Sequence, residues 1–164
     1  MTWVVERLAS RRGVLRGAAL GALVLAASCA AAEPVQALVV HRDPGCGCCH
    51  VWVAHMQQTA RFEASVRDEA DMPALKRRLG VPADLASCHT AEVAGFIIEG
   101  HVPAADVQRL LRERPRGVVG LATPGMPLGS PGMEQADGTS EAFDVFAFRA
   151  DGSREVFTHH VARA

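Results

Sequence analysis

Val35-Gln36-Ala37-Leu38-Val39-Val40-His41-Arg42-Asp43-Pro44-Gly45-Cys46-Gly47-Cys48-Cys49-His50 reads as a buried strand, a tight turn and the opening of a helix. Val35 to His41 is an apolar run of strand length, and Asp43-Pro44-Gly45 carries turn chemistry. The cysteines then open a helix running to about Ala60, with Val53 and Met56 on one face and Trp52 nearby. Packing spreads small core residues along a chain, so three thiols and an imidazole within five residues are not core filler. Thiolates at a strand-to-helix turn either exchange disulfides or hold a soft metal.

Downstream, Phe62 to Val66 alternates as a second strand. Asp71 is placed as an N-cap, Pro73 lies in the first turn, and Leu75 and Leu79 give helical spacing up to Gly80. Beyond a loop containing Ser87-Cys88-His89-Thr90, Phe96-Ile97-Ile98 is expected as the third strand and Glu99-Gly100 as a turn. His101-Val102 leads into a helix opened by Pro103, with Val107, Leu110 and Leu111 inward. This order resembles the thioredoxin-like α/β fold in its glutaredoxin-sized form. There the third strand runs antiparallel to the first, which would bring Cys88 and His89 beside Cys46–Cys49. Metal-free protein in air is then expected to bridge Cys88 to one cluster cysteine. Residues 116–164 form an extension: Leu121 to Met133 is too rich in Pro and Gly for regular structure, and Phe143–Phe148 and Arg154–Phe157 flank Asp151-Gly152 as a β-hairpin.

The N-terminus reads as an address. Ser10-Arg11-Arg12-Gly13-Val14-Leu15-Arg16 resembles a twin-arginine export signal, followed by an apolar run from Gly17 to Ala27 and small residues Ala30-Ala31-Ala32 for cleavage. Residues 1–32 are thus expected to be a signal peptide, and residues 33–164 one exported domain in a Gram-negative periplasm. Ala26-Ala27-Ser28-Cys29 weakly resembles a lipoprotein site, and lipidation of Cys29 is the one route to a membrane. Cleavage leaves 132 residues with 13 basic and 17 acidic side chains. That balance argues against a nucleic-acid partner, which needs a basic face.

Four cysteines remain: Cys46, Cys48, Cys49 and Cys88. Cys46 and Cys49 form a C-x-x-C at a helix start, where the positive end of the helix favours thiolate. A thiol–disulfide oxidoreductase using that pair is one reading. The extra Cys48 counts against it, because a third thiol beside the pair invites scrambling. Three thiolates at one helix start also repel one another unless a cation sits among them. Thiolate with thioether selects Cu(I), and Met126 and Met133 lie in a Gly/Pro loop that gives an apolar side chain no helix or strand to pack. His50 and His89 adjoin cluster cysteines and are candidate ligands; His41 is a candidate support. His55 and His101 read as structural, and His159-His160 as a solvated tail or a further metal-binding pair. The C-x-C-C spacing suits neither ferredoxin-type clusters nor structural zinc.

His41-Arg42-Asp43-Pro44-Gly45-Cys46-Gly47-Cys48-Cys49, Ser87-Cys88-His89-Thr90, Glu99-Gly100-His101-Val102-Pro103-Ala104 and Pro124-Gly125-Met126-Pro127-Leu128-Gly129-Ser130-Pro131-Gly132-Met133-Glu134 together resemble the CopG-type family. These are periplasmic thioredoxin-fold copper proteins of bacterial metal-resistance clusters, formerly a domain of unknown function. The resemblance runs from about Val35 to Glu134. It implies a copper site on the C-x-C-C and the distant cysteine, able to carry more than one ion, and a role in copper redox conversion or handling during detoxification. Other periplasmic copper-resistance proteins are the implied partners. The expected ligand set is Cys46, Cys48, Cys49 and Cys88, with Met126, Met133, His50 and His89 as auxiliary donors. A copper-dependent oxidoreductase cycling Cu(I)/Cu(II) would share this site.

Overall fold

The computed structural model describes residues 35–59 and 62–164. The twin-arginine-like segment, the cleavage motif and Cys29 lie outside the described residues. Among the described residues the fold is mixed α/β, with one seven-stranded sheet and three α-helices. In chain order the elements are β1 (Gln36–Arg42), α1 (Gly47–Thr59), β2 (Phe62–Asp68), α2 (Met72–Arg78), β3 (His89–Val93), β4 (Phe96–Gly100), α3 (Ala104–Glu113), β5 (Val118–Thr123), β6 (Phe143–Arg149) and β7 (Arg154–His160), with a single 3-10 turn at Ala83–Leu85. Across the sheet the strands run β2-β1-β3-β4-β5-β6-β7. β1 pairs parallel with β2 and β4 with β5; the other neighbours are antiparallel.

Side chains alternate across the pleat, and the interior strands β1, β3, β4 and β5 are largely buried on both faces, whereas the edge strands β2 and β7 are mostly exposed. Leu38, Val40, Ala91, Ile98 and Leu121 face Trp52, Val53 and Met56 of α1 and Val107 and Leu110 of α3. Ile97, Ala122 and Phe148 face Val81 and Leu85 on the other side. Asp71 caps α2 through its carboxylate, which accepts the Ala74 N–H at 2.9 Å.

Three expectations fail. Glu99-Gly100, expected as a turn, is the end of strand β4. The strand antiparallel to β1 is His89–Val93, not Phe96–Ile98, which belongs to β4. The segment from Leu121 is not irregular at its start: Val118–Thr123 is a buried interior strand paired parallel to β4. Its Gly120 masked the strand signal, yet a Cβ there would collide with the Ile97 carbonyl and the Phe148 ring. The expected hairpin at Asp151-Gly152 is present as β6 and β7.

Candidate metal centre

The end of β1, the start of α1 and the start of β3 meet at one end of the interior strands. Register places Arg42 opposite His89, so Cys88, one residue earlier, arrives beside the turn that carries the cluster. That turn is built by Asp43: its Oδ1 accepts the Gly45 N–H at 2.8 Å and its carbonyl accepts the Cys46 N–H at 3.0 Å. The sulfurs of Cys46, Cys48, Cys49 and Cys88 all lie within 4.8 Å of one another. Cys48 Sγ is 3.7 Å from Cys46 Sγ and 3.9 Å from both Cys88 Sγ and Met126 Sδ. Cys88 Sγ is also 3.9 Å from Cys49 Sγ.

Cys46 and Cys49 are joined as a disulfide with Cα atoms 5.6 Å apart, while Cys48 and Cys88 are free thiols. The bridge expected between Cys88 and the cluster is therefore replaced by one inside it. A spacing of three residues across the first helical turn already meets the usual Cα separation for a disulfide.

Two histidines stand behind Cys88. His89 Nδ1 lies 3.1 Å and His101 Nε2 3.0 Å from its sulfur, and the three side chains form a second group in ligand range. His101 Nδ1 is 2.7 Å from the Pro131 carbonyl. A carbonyl only accepts, so Nδ1 carries the hydrogen and Nε2 presents its lone pair to Cys88, the arrangement that orients a ligating imidazole. Sequence reading assigned His101 to structure; its place in the site is a correction. Burial holds its pKa below the usual histidine value. His89 is pushed down to about 3 by burial, then by His101 and Lys76. Burial, followed by the neighbouring Cys48, raises the Cys88 thiol to about 12. In the metal-free protein Cys88 is an S–H that donates to a neutral His101, and ligation must displace that proton.

A buried network fixes this corner. Glu99 accepts from Lys76 Nζ at 2.5 Å, the Ser87 N–H at 2.6 Å and Thr90 Oγ1 at 2.6 Å. Burial raises the Glu99 carboxyl, with Lys76 and Thr90 opposing. Ser87 Oγ donates to the Gly125 carbonyl, stapling the Met126 loop to the Cys88 loop. Gly132, at φ +89°, lets the far end of that loop lie against α1: a Cβ would sit 3.0 Å from Trp52 N, 3.1 Å from the Cys48 carbonyl and 3.3 Å from His101 Nδ1.

The remaining candidates are elsewhere. His50 is exposed, with Nε2 against the Arg42 guanidinium. Met133 is half-buried; its backbone closes the loop by bonds to Ser130 and Gly129. His41 bonds Glu69 and Glu92 at 2.8 and 2.9 Å. His159 and His160, read from sequence as a solvated tail or a further metal-binding pair, end β7 and are tied to Asp144 and Asp106.

Comparison with known proteins fits this geometry. A solved copper resistance protein CopG (Form 1) is 44% identical, with a TM-score of 0.72 over 79% of this chain and 99% of its own. The chain belongs to the CopG family. A second CopG structure (Form 2) is 46% identical, with a TM-score of 0.72 over 78% of this chain and 99% of its own. Residues 85–133, from the Cys88 loop to Met133, match the family described as a protein of unknown function, DUF411. No match is found among curated proteins.

Proposed function

We propose that this CopG-family protein is a periplasmic copper-binding protein that takes mainly Cu(I) and acts in copper resistance, on a thioredoxin-like core formed by residues 33–164. One observation carries the reading: four cysteine sulfurs within 4.8 Å of one another, with the Met126 thioether 3.9 Å from Cys48. Sulfur donors of both kinds match Cu(I) better than zinc, which rarely takes methionine. Cys48, Cys88 and Met126 would hold the ion, joined by Cys46 and Cys49 when reduced and backed by His89 and His101. The thiolate set is large enough for more than one ion. Copper bound here would supply one-electron Cu(I)/Cu(II) chemistry. The chain's own part is to shed the Cys88 proton, keep His101 Nε2 as a lone pair through Pro131, and cover the buried side of the site with Trp52, whose ring lies tilted against His89 with centroids 4.4 Å apart.

Competition against a Cu(I) chelator, run beside zinc under matched reducing conditions, tests the reading; zinc bound as tightly as Cu(I) would sink it. Export by the twin-arginine route is tested separately: Arg11→Lys with Arg12→Lys should trap the precursor in the cytoplasm.

The Cys46–Cys49 disulfide favours a second reading, a thiol–disulfide oxidoreductase. Insulin-reductase turnover by the copper-loaded protein that survives Cys48→Ser would put it first.

A further inference from the structure

His160 and His55, which the thiol site does not use, line one cavity of about 470 Å³ with Glu134. His55 comes from α1, Glu134 from the loop after Met133, and His160 from the last residue of β7. Each is held in a way that leaves a donor to spare. His160 Nε2 lies 2.7 Å from Asp106 Oδ2. A carboxylate accepts, so Nε2 carries the hydrogen and Nδ1 is the lone-pair nitrogen. An imidazole whose second nitrogen donates to a carboxylate is the usual support of a metal-binding histidine. Stacking on Phe143, with ring centroids 4.6 Å apart, fixes the same ring. His55 is held by long contacts, 3.4 Å to Thr59 Oγ1 and 3.5 Å to the Ala104 N–H. The exposed Glu134 holds the Gly132 N–H at 2.9 Å through either oxygen and acts electrostatically on both His55 and His101.

We infer that His55, His160 and Glu134 form a second metal site, for a borderline divalent cation and Cu(II) above all. Two imidazoles and a carboxylate suit Cu(II), which binds nitrogen and oxygen donors most tightly among the first-row divalent ions, and they suit Cu(I) poorly. The site is distinct from the thiols but adjoins them. Pro131 lines the cavity while its carbonyl fixes His101, whose other nitrogen touches Cys88. Arg163 on the wall opposes a cation, but its Nε is engaged by Ser140 and Asp106 lies behind His160. Among the described residues, only the two thiol-containing groups have donors already in mutual ligand range. Binding at the imidazole site therefore requires side-chain rotation to bring its donors together.

The test uses the full mature protein with its thiols first saturated anaerobically by Cu(I), which is silent in electron paramagnetic resonance. One equivalent of Cu(II) is then added. The expected spectrum is one bound Cu(II) with nitrogen couplings from two imidazoles. His55→Gln and Glu134→Gln should each weaken binding by about tenfold, and His55→Gln should remove one nitrogen coupling. The quadruple Cys46, Cys48, Cys49 and Cys88→Ser variant, if folded by circular dichroism, should give the same signal. An unchanged spectrum and affinity in both His55→Gln and Glu134→Gln, or no bound Cu(II) in the wild type, overturns the site. Neither result bears on the thiols, whose Cu(I) affinity is read in the chelator competition.

Discussion

The thiol corner and the β6–β7 hairpin use chemistry-bearing residues in opposite ways. At the thiol corner, donors from α1, the start of β3 and the Met126 loop converge without a carboxylate touching a sulfur. In the hairpin each histidine is bound to its own carboxylate, His159 to Asp144 and His160 to Asp106. Convergence of soft donors concentrates repulsion that a cation relieves, whereas a carboxylate on one ring nitrogen orients each imidazole without bringing it against a second donor. The difference shows that a preassembled donor set is marked by donors facing one another, not by how many lie close in sequence.

The heaviest blow to the thiol corner is expected from Glu99→Gln. It leaves Lys76 buried against a neutral amide, and loss of one partner of a buried pair costs about 3 kcal/mol. Chemical denaturation should read that loss, and a variant as stable as wild type would show that the network does not hold the corner. Cys88→Ser should leave the fold intact and lower Cu(I) affinity about a hundredfold, equivalent to about 2.7 kcal/mol. Chelator competition checks it, and wild-type affinity would reduce the site to the helix start. The corner should also be acid-sensitive in the metal-free protein. His89 stays neutral down to about 3, so below about pH 6.5 the unfolded chain takes a proton that the folded one refuses. Stability is complete above that pH and falls by about 1.4 kcal/mol per unit as the pH drops towards 3, with His101 adding in the same direction. Urea midpoints at pH 7 and pH 5 measure this. Met126→Leu should cost about tenfold in Cu(I) affinity, since one thioether of the soft set is removed. On the hairpin side, His159→Ala should leave Cu(I) affinity unchanged in the same titration. A loss as large as that of Met126→Leu would erase the contrast between the two regions.

Much of this contrast was legible in the sequence. The β1–α1 unit, the Asp71 cap and the terminal hairpin follow from periodicity and turn residues, while the nearness of Cys88 to the cluster was implied by the resemblance to a thioredoxin-like order of elements. Two strands were hidden. His89-Thr90-Ala91-Glu92-Val93 carries polar side chains that look like a loop, because the partner that buries Thr90, the Lys76–Glu99 pair, comes from distant segments. β5 was obscured by Gly120 and by the Pro/Gly segment that follows. His101 was missed for a related reason, although a signal existed. Ala94 and Gly95, both at positive φ, make a two-residue turn that pairs Val93 with Phe96. Counting back along that hairpin sets Cys88 opposite His101. Nothing in the sequence distinguishes Met126 from Met133, since both follow Pro-Gly; only the Ser87–Gly125 staple brings the first to the thiols.

That staple gives the site a direction of travel. Met126 stands 50% exposed, Cys48 and Cys88 are half-buried, and Cys49 and His101 are fully enclosed. Under the proposed function, an incoming ion would meet sulfur first at the solvent boundary, on a loop pinned to the very strand entrance it must reach. Exposure falls from Met126 through Cys48 and Cys88 to Cys49 and His101, so arrival and retention would be graded along one short descent, with the outermost methionine as its threshold.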